Sequence, residues 1–190
     1  VFIIWDVYYT SISVWGFNPD YLIGFNVLGL PIEEILFFFC IPYACVYTYH
    51  CLKILIPSFN FKPVKIIGLG IILMLLIVGI IYYDKMYTSV TFIALSIAIL
   101  YIQFIQKPVW IPRLYLSLLI LILPFLLING ILTGTGIESE VVWYNQDEIM
   151  GFRLLTVPFE DFAYGFLLIL LNVYIFEKFD FINNKLNLTS

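Results

Sequence analysis

Pro31-Ile32-Glu33-Glu34-Ile35-Leu36-Phe37-Phe38 is the stretch from which the rest of the chain can be read. A proline and two adjacent carboxylates stand at the mouth of an apolar run, Ile35–Ile56. Proline fits the first turn of a helix, where a missing N–H costs nothing. Acidic groups there face the positive end of the helix dipole. The spacing predicts a helix that begins at Pro31, with Glu33 as its third residue. A single stretch of this kind is an ordinary helix start. A second one, Pro158-Phe159-Glu160-Asp161, opens the last apolar run 127 positions later. The match extends without a gap through the preceding residues: Asn18 with Asn145, Asp20 with Asp147, Gly24 with Gly151, Phe25 with Phe152 and Leu28 with Leu155. A repeat that carries acids to the same place twice makes Glu33, Glu34, Glu160 and Asp161 the first candidates for function.

Successive helical residues lie about 100° apart, so the acids of a pair do not point the same way. One of each pair is expected to face the bundle interior. The other is expected to bond to the loop above it or to a cation such as Arg153. Exposed N–H groups at a helix start favour the anion, whereas burial and a neighbouring carboxylate favour the neutral acid. Converging pairs therefore titrate together, the condition for a proton donor and a proton acceptor in one site.

The surroundings of these motifs are those of a membrane protein. The chain is 63% hydrophobic and 12% charged over 190 residues, against roughly 25% charged residues in a soluble domain. Several apolar runs approach the ~20 residues that cross a bilayer. The spans expected are Ile35–Ile56, Ile66–Tyr83, Val90–Ile105, Leu114–Leu132 and Phe159–Phe176, with Val1–Trp5 as the end of a sixth. Gly68, Gly70 and Gly79 are expected to admit a close neighbour, and Pro124 to interrupt the hydrogen bonds of its helix. The segments Asp6–Leu30 and Thr133–Val157, rich in aromatics and glycine, read equally as interfacial loops or as lids over a cavity. The tail from Asp180 to Ser190 is expected to fray. The architecture expected is an all-α polytopic transmembrane bundle with five full spans. It forms one membrane domain over 1–190, with repeat halves of about 1–56 and 114–177 joined by linker spans over 66–105.

Charge orients this bundle. With the Pro31 end outside, Lys53, Lys62, Lys65, Lys107, Arg113, Lys178 and Lys185 all fall inside, and only Lys85 and Arg153 outside. Both acid motifs then start helices that run the same way, so the repeats are parallel and can build a site between them. No basic tract suits nucleic acid. Cys40, Cys45 and Cys51 form no CxxC pair, and a lone His50 gives no metal cluster; the cysteines read as small hydrophobes.

Other residues near the acids extend the candidate site. Trp15, Phe17, Phe37, Phe38, Trp143, Tyr144 and Tyr164 offer ring faces to a cation. Asn18, Asp20, Asn145 and Asp147 recur with the repeat. Arg153 replaces the Asn26 of the first copy and is expected to pair with Asp147, Glu160 or Asp161. Asn129 and Asn172, set in apolar helices, call for polar partners on neighbouring helices.

These residues carry a resemblance. Trp5-Asp6, Val14-Trp15-Gly16-Phe17-Asn18-Pro19-Asp20 and Leu30-Pro31-Ile32-Glu33-Glu34-Ile35-Leu36-Phe37-Phe38 are similar to segments of the membrane-bound lycopene cyclase domain family of bacteria, archaea and fungi. So are Asn129-Gly130-Ile131-Leu132-Thr133-Gly134, Val142-Trp143-Tyr144-Asn145 and Val157-Pro158-Phe159-Glu160-Asp161-Phe162. The resemblance covers nearly the whole chain and implies the fused two-repeat form, with a first span and most of a second before Val1. It implies lycopene or a related linear carotenoid as substrate and cyclisation of its ψ-ends to β-ionone rings. It also implies the bacterial cytoplasmic membrane as location, membrane lipid as surroundings, and a second copy or carotenoid pathway enzymes as protein partners. The reaction is redox-neutral and calls for no cofactor. It needs an acid, a base, an apolar cavity that folds the chain end, and exclusion of water from a carbocation. The chain has no dinucleotide fingerprint of the flavin-dependent cyclases. Two other readings stay open on the residues alone: a proton- or ion-coupled transporter, and a non-catalytic subunit of a carotenoid pathway complex. Ring type and substrate length are not legible.

Overall fold

The computed structural model describes residues 1–187, with side-chain surroundings to Asp180. Helix α1 covers Phe2–Ser11 and leads to strand β1, Trp15–Phe17. Strands β2 (Asn26–Val27) and β3 (Leu30–Pro31) precede α2, Ile32–Leu55. Helices α3 (Val64–Ile81), α4 (Met86–Ile99, continued by a π-helical stretch to Gln106) and α5 (Ile111–Leu132) follow. Strands β4 (Val142–Tyr144), β5 (Arg153–Leu154) and β6 (Val157–Pro158) then lead into α6, Phe159–Asn187. Five of the helices, α2 to α6, are long and apolar enough to cross a membrane. The protein is a helical membrane bundle, with short β ladders confined to the two loop segments before the acid motifs.

The helices extend beyond the apolar runs. Helix α1 does not end near Trp5 but continues to Ser11, which places Asp6 within it. Helix α6 continues to Asn187 where fraying was expected; residues 188–190 and the side chain of Lys185 lie outside the described residues. The two prolines precede their helices. Pro31 (φ −57°, ψ 144°) is the last residue of a β hairpin, paired with Asn26, and α2 begins at Ile32. Glu33 is thus the second helical residue and not the third.

The repeat is visible in the backbone. Asn26 pairs with Pro31 and Val27 with Leu30; in the second copy Arg153 pairs with Pro158 and Leu154 with Val157. Leu28 and Leu155 hold left-handed φ values of 55° and 57° at the two hairpin turns. That conformation costs an L-residue with a Cβ roughly 1–2 kcal/mol, so the hairpin bonds must hold it in place. The first helical N–H is spent the same way in both copies: Ile32 donates to the Phe25 carbonyl at 2.9 Å and Phe159 to Phe152 at 3.0 Å. The copies also pair with each other. Strands β1 and β4 are antiparallel, with Trp15 opposite Tyr144, Gly16 opposite Trp143 and Phe17 opposite Val142. The Asn18 N–H donates to Val141 at 2.8 Å, and the Asn145 N–H to Val14 at 2.9 Å. The ladder is centred on Gly16, where any Cβ would overlap the Trp143 indole.

Helices α4 and α6 are the most buried spans, 50% and 44% of their apolar windows being covered, against 17% for α2 and α5. Helix α4 packs along α3 and α6. Gly79 lies against Phe92 and Ile93, and Gly68 beneath Gln103, whose amide donates to the Val64 carbonyl at 2.8 Å. Gly70, also expected at a contact, faces open space. At the inner end, Lys53 of α2 bridges Glu177 (2.8 Å) and Asp180 (2.9 Å) of α6, and the Tyr49 hydroxyl donates to Glu177 at 2.6 Å.

Candidate functional site: a cavity between matched acids

Helices α2, α5 and α6 enclose a cavity of about 180 Å³, roofed by the β1–β4 ladder. Its walls come from both copies of the repeat at matched positions. Glu34 and Asp161 line it, as do Phe17 and Tyr144, Phe37 and Tyr164, and Ile41 and Leu168, each pair 127 positions apart. Trp15, Phe38 and Asn129 also line it. The cavity therefore lies on the axis that relates the two copies.

The acids of each pair divide as the helical turn requires. Glu33 and Glu160 turn outward to the loops, where Glu33 Oε1 accepts the Ile23 N–H and Glu160 Oε1 the Met150 N–H, both at 2.7 Å. Each closes a ten-residue loop over the start of its helix. Glu34 and Asp161 turn into the cavity. Both oxygens of Asp161 are engaged: Tyr87 donates to Oδ1 at 2.7 Å and Tyr144 to Oδ2 at 2.8 Å. Among the described residues, no donor reaches Glu34. Burial and the Asp161 charge push the Tyr144 hydroxyl well above its ordinary range, so it remains a donor at neutral pH.

Three contributors were not legible as site residues. Asp6, 1% exposed, lines the cavity and accepts the Trp15 indole N–H at 2.6 Å, while its second oxygen has no partner among the described residues. Its signal was present: an acid within an apolar helical segment is a functional candidate by default. Tyr87 and Thr88 belong to α4. Tyr87 reaches Asp161, and Thr88 donates to Glu160 at 2.5 Å. Helix α4 is brought there by Glu148, whose side chain accepts the Met86 N–H at 3.0 Å and whose carbonyl accepts the Tyr87 N–H at 3.0 Å. The rings of Trp15 and Tyr87 have centroids 5.0 Å apart, and those of Tyr87 and Tyr144 lie 6.0 Å apart and nearly parallel.

Other candidates, Asn129 excepted, lie outside the cavity. Trp143 covers Gly16 on the far side of the ladder. Asn18 and Asn145 each accept the backbone N–H two residues on, that of Asp20 at 3.1 Å and of Asp147 at 3.0 Å, and so shape the turns. Arg153 makes no ion pair among the described residues. Its guanidinium donates to the Thr156 carbonyl at 2.8 Å and stands 5.8 Å from the Tyr144 ring centre, because the hairpin directs it across its own turn. Asn129 and Asn172 bond to carbonyls of their own helices, Phe125 at 3.1 Å and Leu168 at 2.8 Å, and not to a neighbouring helix. Four residues back is the carbonyl within easiest reach of a short polar side chain.

The family model described as lycopene cyclase matches residues 1–52 and 84–179. A 45-residue segment is 38% identical to the bifunctional lycopene cyclase/phytoene synthase of Aspergillus niger, which is 24% of this chain and 8% of that protein's length. No solved structure matches the chain. The matched residues include both acid motifs, the β1–β4 ladder and the start of α4, and they make up well over half of the sequence: the chain belongs to the lycopene cyclase family.

Proposed function

We propose that this protein is a carotenoid cyclase that closes the ψ-ends of lycopene into β-ionone rings by acid–base catalysis, with Glu34 and Asp161 as the proton-handling pair. The observation that carries the reading is one apolar cavity that receives a carboxyl from each copy of the repeat. The chemistry asks for such a place. A proton adds to the terminal double bond, the resulting cation is captured by the next double bond along the chain, and a second proton leaves the new ring. Trp15, Phe17, Phe37, Phe38, Tyr144 and Tyr164 offer the cation aromatic faces. The hydrophobic wall keeps out water that would trap it. Glu33 and Glu160 serve the same chemistry by holding the loops over the helix starts. The substrate is a linear carotenoid drawn from the surrounding lipid, and the location is a bacterial cytoplasmic membrane. A single membrane unit of two parallel halves, with α3 and α4 between them, accounts for the paired origin of the wall. Beneath the acids the cavity is lined by Ile41, Cys45, Leu168 and Ile169, which offers an ion no polar route and weighs against a transporter.

Expression in a lycopene-producing bacterium, followed by pigment chromatography, tests this reading. Cyclic products are the expected result. Unchanged lycopene, with the protein present in the membrane, overturns it.

A further inference from the structure

The two halves of the cavity share a backbone but not a chemistry, and the difference falls on the carboxyls. Asp161 accepts a phenolic O–H at each oxygen, from Tyr87 and Tyr144. Glu34 sits at the matched position, 127 residues earlier, on the same cavity, and no donor among the described residues reaches it. The cause is specific. The counterpart of Tyr144 is Phe17, the same ring without its hydroxyl, and both line the cavity. Tyr87 comes from α4, which packs along α6. The counterpart of Tyr164 is likewise a phenylalanine, Phe37. Asp161 is thus held by two phenols, whereas the ring matching Tyr144 has no hydroxyl to offer Glu34; the Tyr164 hydroxyl has no partner among the described residues.

Resting on the cyclase reading, we infer that the roles are split: Glu34 delivers the proton, Asp161 removes one, and Tyr87 and Tyr144 are the positioning residues that set the difference. A carboxyl that donates must carry its own hydrogen and present it to the substrate, which suits a group with no hydrogen-bond partner on an apolar wall. A carboxyl that receives a proton from carbon is best held as an acceptor already, its orientation fixed by two donors. The Glu34 O–H breaks as a C–H bond forms at C2 of the ψ-end, and the C1=C2 electron pair is used, leaving a cation at C1. The C5=C6 pair forms the C1–C6 bond, leaving a cation at C5. The C6–H bond then breaks, its electrons restore C5=C6, and the proton passes to Asp161. Nothing is oxidised or reduced, and the enzyme ends with one proton moved from Glu34 to Asp161, to be returned before the next turnover.

The two assignments predict unlike failures, which chromatography and mass spectrometry of the pigments read directly. Glu34→Gln makes no cation, so the linear substrate is recovered unchanged. Asp161→Asn still makes the cation but lacks the base at C6. Substrate is then consumed into rings whose double bond lies at C4 or outside the ring, or into products carrying one added water. The reverse pattern overturns the assignment while the cyclase reading stands. Unchanged substrate from both variants, each present in the membrane at the parental amount, overturns it as well. If the parent itself gives no cyclic product, the cyclase reading fails and this proposal with it. Tyr144→Phe keeps both carboxyls and guards against misfolding of Asp161→Asn. It is expected to raise the share of misdirected products roughly threefold to tenfold, the worth of one hydrogen bond. Phe17→Tyr is expected to slow substrate consumption and to leave the product shares as they were. Parental product shares from Tyr144→Phe overturn the role of the tyrosine, since a merely structural hydroxyl would alter amounts and not ratios.

Discussion

Ile23 meets Glu33 and Met150 meets Glu160 at the same 2.7 Å, yet Glu160 is fully buried and Glu33 is half-buried. The neighbours explain it. Over the second motif lies the start of α4, which gives Thr88 to Glu160 and Tyr87 to Asp161. Over the first motif Ile23 is 83% exposed where its counterpart Met150 is partly buried, while the hairpin residues Phe25 and Leu28 (60% and 74%) are as exposed as Phe152 and Leu155 (59% and 70%). Hairpin register, left-handed leucines and the first helical hydrogen bond agree in both copies; burial and polar contacts do not. Two copies with the same hairpin register thus acquire different chemistry where α4 packs on the second. A symmetric reaction centre would have two equivalent acids, whereas cyclisation needs one group to give a proton and another to take one.

The comparison can be broken most severely at the carboxyls. Glu34→Gln is expected to lower the formation of all rings, and Asp161→Asn that of the β-ionone ring alone, each by about 100-fold or more, the range of general acid–base catalysis, measured as each cyclic carotenoid per unit of membrane protein. Next in size is the difference between the two loop clasps. Glu160→Ala strands the Thr88 hydroxyl and the Met150 N–H in a buried place and should cost about 1–3 kcal/mol. Glu33→Ala frees one N–H in an exposed loop and should cost less than about 1 kcal/mol. Thermal unfolding in detergent compares them; equal losses would mean that burial by α4 does not distinguish the motifs. Gly16→Val strikes both copies at once, because its side chain must displace the Trp143 indole. A loss of about 1–3 kcal/mol is expected from overpacking, read by the same melt. The smallest effect is expected far from the ladder: Lys53→Met, at a clasp where the lysine side chain is 28% exposed, should cost about 0–1 kcal/mol.

The repeat was legible because its two copies are each continuous in sequence, and residues such as Pro31, Glu33 and Glu34 recur at one fixed spacing. The spans were legible because lipid demands long apolar helices, although their ends were not. Hydropathy falls off before the helix does, and so α1 and α6 outrun their apolar runs. Which acid of each pair faces the cavity could be framed from helical geometry but not decided, since the start of α2 shifts by one residue when Pro31 joins a hairpin. Tyr87 and Thr88 were hidden because they lie in the linker and meet the acids only through folding. Arg153 misled for the opposite reason. Its nearness in sequence to three acids suggested an ion pair, while its own hairpin offered a carbonyl first.

The β1–β4 ladder has a further consequence. In its register Trp15 faces the counterpart of Phe17, Phe17 the counterpart of Trp15, and Gly16 its own counterpart, so the bond that Asn18 gives to Val141 is returned by Asn145 to Val14. That is the rule of an isologous contact, the kind that joins two identical subunits across a two-fold axis. A short strand centred on Gly16 or Trp143 would pair in the same register with a strand from another chain. Closure of the roof thus depends on the presence of two such strands and not on a covalent link between them.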